Sequence, residues 1–195
     1  MKVISLSFFN DIWIHSYPEF LIYKNLNEKY KFDIDIVNCQ KFFFKACAAH
    51  NNKQILVNDE FNKKDKICNS CIRTTNFYKK KSNHNYLNLS DYINDKDFKN
   101  IKNILKKTNS NNYKNLKVLG INVGKITSFN FLINEKLSDD VLDLKQFKKY
   151  QLYLENTLKV LFAFRKILKK KKNMIFLYHI QLSTLIIKFV QSMQN

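Results

Sequence analysis

The chain opens on a short apolar run, residues 2–9 (KVISLSFF), of the kind that fills a strand buried on both faces of a parallel sheet. Residues 10–15 follow as a loop. Ser16-Tyr17-Pro18-Glu19 then has the spacing of a capping box, with a proline in the first helical turn and Glu19 able to reach back to the Ser16 N–H. Phe20, Tyr23, Leu26 and Tyr30 repeat at helical spacing, and residues 32–39 (FDIDIVNC) alternate as a second strand. The three elements predict a β-α-β unit with a right-handed crossover.

Between residues 40 and 86 the period is lost, and the segment reads as an irregular excursion from the sheet. A polar helix is predicted at about 90–106, with Phe98, Ile101, Ile104 and Leu105 on one face. Residues 108–115 form a linker, and Gly120 and Gly124 flank Asn122 where the backbone is expected to turn. The clearest helix spans 142–168, striped by Leu144, Phe147, Gln151, Leu154, Leu158, Leu161, Phe162 and Arg165. A strand at 174–178 and a helix carrying Leu182, Leu185, Ile186, Phe189, Val190 and Met193 close the pattern. The fold class expected is α/β, a Rossmann-like parallel sheet with flanking helices. Residues 1–168 form its domain, with 40–86 as a cysteine-containing insertion, and 169–195 form a terminal strand-helix or a truncated tail.

A chain of 195 residues can bury a real core, and 45% hydrophobic residues with 17 Phe exclude a disordered protein. The formal net charge of +18 raises the question of nucleic acid. However, Arg73 and Arg165 are the only arginines, and arginine is the residue suited to bidentate phosphate and base recognition. Abundant Lys, Asn, Ile and Phe beside 2 Gly and 1 Pro match the bias of an A/T-rich coding sequence. The lysines therefore read as solvated faces first, the run at 169–172 as a helix end complementing the helix dipole, and nucleic acid is not the expected partner. No apolar run is long enough to span a membrane and none has the form of a secretory signal, so a cytoplasmic location is expected.

Three constellations could carry chemistry. Cys39, Cys47, Cys68 and Cys71, with His50 as a spare ligand, have the composition of a structural zinc site. The Cys68-x-x-Cys71 turn would supply one pair, although the seven-residue gap between Cys39 and Cys47 is loose for a zinc ribbon. Free thiols and a redox pair remain open for the same residues. His15 lies in the loop after the first strand, where ligands of open α/β sheets bind, and could act as a general base; capping or packing is its other reading, as for Glu19. Gly120-x-x-x-Gly124-Lys125 lacks a full phosphate-binding fingerprint and reads as a structural turn.

Phe8-Phe9, then Trp13-x-His15-Ser16-x-Pro18-Glu19, then a strand running into Cys39, followed by Cys47 and Cys68-x-x-Cys71, resembles the N-terminal part of bacterial capsule and surface-polysaccharide proteins of the GT-B glycosyltransferase fold. Asn122-Val123-Gly124 before the long helix resembles a later element of the same proteins, so the likeness covers about residues 2–165. It implies an acceptor-side domain, with a carbohydrate or lipid-linked acceptor bound here and the nucleotide-sugar substrate held mainly by a second, C-terminal domain. His15 would be the catalytic base, Glu19 its neighbour, and the cysteines structural; a peripheral membrane surface is a further partner. The resemblance fades at 169–172, near an A-rich tract where a frameshift could occur. A fragment, a truncated gene product and a stand-alone binding domain all fit that break. A zinc-stabilised binding module, with nucleic acid as its ligand, is the alternative function.

Overall fold

The computed structural model describes residues 2–55, 60–138, 141–170 and the backbone of 175–176. In chain order the elements are β1 (Lys2–Ser7), α1 (Trp13–Tyr30), β2 (Asp33–Asn38), α2 (Ala48–Asn52), α3 (Phe61–Lys81), β3 (Asn85–Asn88), α4 (Asp95–Lys107), β4 (Lys117–Val118), β5 (Ile121–Asn122), α5 (Val123–Glu135), α6 (Leu144–Lys170) and β6 (Ile175–Phe176). They divide into two compact units, one built on the residues up to Tyr92 with the end of α6 from Ala163, the other on Ile93–Phe162.

The first unit is an α/β layer around a parallel sheet. Its three longer strands run β3-β2-β1, and β6 aligns parallel on the free edge of β1. This order, with flanking helices, is compatible with the Rossmann-like expectation. Along β1, Val3, Ser5 and Ser7 share one face, which turns from apolar to polar toward the carboxyl end. Val3 packs with Tyr23, Ile34 and Ile36, whereas Ser5 meets the Tyr23 hydroxyl at 2.5 Å. β2 repeats the gradient through Ile34, Ile36 and Asn38, and Asn38 donates to the Leu87 carbonyl at 3.0 Å. Polar groups thus collect where the strands end.

Helix α1 starts at Trp13, with Ile12 as N-cap and no side-chain cap, three residues before the predicted start. The residues of the expected capping box have tertiary partners instead: Ser16 bonds the Asn10 carbonyl and Tyr78, and Glu19 accepts from Ser7. Pro18 consequently lies inside the helix rather than in its first turn.

The second correction concerns residues 40–86, predicted as irregular. Most of the segment is helical, and α3 alone has 21 residues. Its buried positions are Lys64, Cys68, Thr75 and Tyr78, with Cys71 half-buried between them. The spacing is helical but the residue types are polar, so a search for apolar period passes over it. Strand β3 (NYLN) escaped for the same reason.

In the second unit, α4 begins with a capping box: Asn94 accepts from the Asp97 N–H, and Asp97 accepts from the Asn94 N–H at 2.9 Å. The predicted turn is a two-residue hairpin between β4 and β5, with Leu119 and Gly120 both at positive φ (54° and 79°). Asn122 then caps α5 by accepting from the Lys125 N–H at 2.9 Å. A fully buried Tyr150 donates to the Gly124 carbonyl at 3.2 Å and packs edge-on against Tyr113 and Phe131. The long helix predicted at 142–168 is α6. Of the predicted C-terminal strand, 175–176 is β6; the helix predicted beyond it lies outside the described residues.

Two glycines in one short segment give a sharp contrast. A Cβ at Gly124 would stand 1.8 Å from the Tyr113 carbonyl oxygen, whereas one at Gly120 would meet nothing within 4 Å and suffer only from its φ of +79°. Gly120→Ala is expected to cost about 1–2 kcal/mol. Gly124→Ala should cost more than about 3 kcal/mol, because backbone must move. Urea titration of the two variants measures the difference.

Candidate functional site at the carboxyl ends of β1 and β2

The β1–α1 corner is held by buried polar side chains. Ser7 Oγ lies 2.8 Å from Asn10 Oδ1 and 3.1 Å from Glu19 Oε2, both acceptors for its single proton. Asn10 Nδ2 donates to Thr75 Oγ1 on α3 at 2.7 Å, and Thr75 in turn donates to the Cys71 carbonyl at 2.9 Å. Ser16 joins the corner to Tyr78, whose ring stacks on Phe20 with centroids 4.5 Å apart. None of Ser7, Asn10 or Thr75 stood out in the sequence. The legible signal was positional: Thr75 continues the 68, 71 series at helical spacing.

Beside this network lies a small cavity of about 20 Å³, lined by Cys39, Cys47, His50, Cys68 and Cys71 together with Asn10. A volume of this size holds one water or one ion. All four cysteines of the protein converge here from three segments: the turn after β2, the N-cap of α2 and the buried face of α3. The Cys68-x-x-Cys71 pair sits at i, i+3 on a helix, not on the turn that was expected. Gln40 and Lys41 both take positive φ (45° and 66°), and this tight reversal holds Cys39 at the cavity. Such conformations cost roughly 1–2 kcal/mol each for residues with a Cβ.

The cysteines are free thiols. Burial is the main cause that pushes Cys68 up to about 11 and Cys71 up to about 12, and it raises Cys39 and Cys47 as well. Protonated thiols at neutral pH are poor nucleophiles, which argues against the redox-pair reading. Backbone amides nevertheless point at two of the sulfurs. Asp11 N–H donates to Cys71 Sγ at 3.2 Å and Phe43 N–H to Cys39, whereas Cys47, the N-cap of α2, makes no side-chain cap hydrogen bond. His50 Nε2 is 3.5 Å from Cys68 Sγ, and its Nδ1 is buried without a hydrogen-bond partner. Among the described residues, no three His, Cys, Asp or Glu side chains already stand grouped around a single ion position.

His15 and Glu19 lie apart from this cavity. His15 is half-buried in the first turn of α1, beyond the end of β1, across the helix from exposed Trp13 and Tyr17. Glu19 is buried one turn later and reaches the network through Ser7. His15 on the first turn of α1 and the thiol cavity are thus separate features of the first unit. Among the described residues, no helix is long and apolar enough to cross a membrane.

The chain matches no family model, no curated protein and no solved structure. Its chemistry is read from its own geometry.

Two predictions arise from these contacts. Asn10→Ala removes the donor to Thr75 Oγ1 and one of the two acceptors facing Ser7, while Thr75 keeps the Cys71 carbonyl and Ser7 keeps Glu19, and the expected loss is about 1–3 kcal/mol. A double-mutant cycle with Thr75→Val should show coupling, since both residues share one hydrogen bond; additive losses would show that the network acts as separate contacts.

The second concerns pH. Burial lowers the pKa of both His50 and His84 below 6.5, with Lys64 adding to the effect at His50 and Glu28 opposing it at His84. Below that value the unfolded chain takes up protons that the native state refuses, so stability falls with pH until the native histidines also protonate. The Tm should drop between about pH 7 and pH 5.5, and His84→Phe, which keeps the edge-on ring contact with Tyr23, should flatten the slope.

Proposed function

We propose that the chain is the acceptor-side domain of a glycosyltransferase of surface-polysaccharide synthesis. The observation that carries this reading is the position of His15, on the helix that leaves the carboxyl end of β1 in a parallel sheet ordered β3-β2-β1-β6. Ligands of such sheets sit beyond the carboxyl ends, where strand order reverses on either side of β1. The resemblance read from Trp13-x-His15-Ser16-x-Pro18-Glu19 and the later motifs implies the same position. A half-buried imidazole there is placed to take the proton of an acceptor hydroxyl as the oxygen attacks the anomeric carbon of a nucleotide-sugar. Glu19, buried against Ser7, holds the corner in shape and reaches the acceptor only through its neighbours.

A zinc-stabilised module that binds polyanions through its lysines is the second reading, favoured by the convergence of the cysteines. Its sign would be a polynucleotide affinity that falls steeply with salt.

The test of the main reading is His15→Ala in a two-domain protein that carries this domain. Turnover is expected to fall by about 10²–10⁴-fold while far-UV circular dichroism stays unchanged. An unchanged rate assigns His15 to packing. The isolated chain should bind acceptor but transfer little, because the nucleotide-sugar would be held mainly by the second domain.

A further inference from the structure

The thiol cavity has no part in the acceptor chemistry, and its construction points elsewhere. Four cysteines gathered from three segments separated by up to 32 positions (39 to 71) line one small, partly open cavity with room for an ion. Two of them, Cys71 and Cys39, already receive a backbone N–H at sulfur. Hydrogen bonds of this kind stabilise negative sulfur, and a neutral thiol has little use for them. Two lysines lie near: Lys41 lines the cavity and holds Asp65 at 2.6 Å, and Lys64 is buried close to His50. His50 Nε2 lies 3.5 Å from Cys68 Sγ at the same place.

From the convergence of these side chains we infer that Cys39, Cys47, Cys68 and Cys71 form a tetrahedral structural site for a soft divalent cation, zinc above all, that clamps the β2–α2 segment onto α3. Binding replaces four S–H bonds by four metal–sulfur bonds and releases the protons to solvent. The amides of Asp11 and Phe43 face the resulting anionic centre, and Lys64 and the Asp65-paired Lys41 bring positive charge near it. His50 serves as an outer partner beside Cys68. Because the sulfurs are not yet grouped around one point, the segment between Cys39 and Cys47 tightens on α3 as the ion enters, so metal binding and local folding are coupled.

The site is independent of the proposed acceptor chemistry and is tested without it. The full chain, reduced and stripped of metal, is titrated first with Co²⁺ and then with Zn²⁺. A sulfur-to-cobalt charge-transfer band should saturate near one equivalent and disappear as Zn²⁺ displaces the probe. Zinc should also raise the Tm and slow the reaction of the native thiols with a thiol reagent. Cys71→Ser should lose the tight band, and His50→Gln should keep it. If the serine variant does not fold, the thiol-protection measurement on the unaltered chain decides. No cobalt band, with Tm and thiol reactivity indifferent to zinc, overturns the site; an undiminished band in Cys71→Ser overturns the four-thiolate assignment.

Discussion

The hydrogen bond between Asn10 and Thr75 ties the corner after β1 to a helix that lies 65 residues on in sequence, and the arrangement of the first unit depends on it. Ser7, Asn10, Ser16 and Glu19 all turn inward from one short stretch, and each is buried. Polar groups without water must find protein partners. Helix α3 supplies them through Thr75 and Tyr78, and the same helix face, one turn earlier, carries Cys71 and Cys68. The polar corner and the thiol cavity are therefore two consequences of a single docking.

That docking also explains why α1 begins where it does. A local cap at Ser16 would leave the Asn10 carbonyl and the Tyr78 hydroxyl to other partners. Given both, the hydroxyl takes the tertiary bonds, and the helix starts at Trp13 with its first turn turned outward. Trp13, Ile14, Tyr17, Leu21 and Ile22 are all exposed along it.

The composition leaves its mark on the backbone. With 2 glycines, the chain places Lys31, Gln40, Lys41, Gln54, Leu119 and Lys136 in left-handed conformations that glycine adopts more easily. Lys31 and Lys136 end helices α1 and α5 in this way. Gln40 and Lys41 do so beside the thiol cavity, where strain is sustained only if the surroundings fix the turn.

The sequence by itself determined the elements whose signal is local and apolar. β1, β2, the long helix α6, and the turn at Gly120 were legible because apolar period, chain length and glycine placement act within a few residues. It also singled out Cys39, Cys47, Cys68 and Cys71 by type, and His15 by its place after the first strand. Tertiary structure alone decided that residues 61–81 are a helix, since the face it buries is Lys64, Cys68, Thr75 and Tyr78 and looks polar in one dimension. It likewise decided where α1 starts and which residues, Asn10 and Thr75 foremost, line the corner. A buried hydrogen bond between distant residues has no period along the chain. Its partners become recognisable only when the fold has removed the water that either could otherwise have bound.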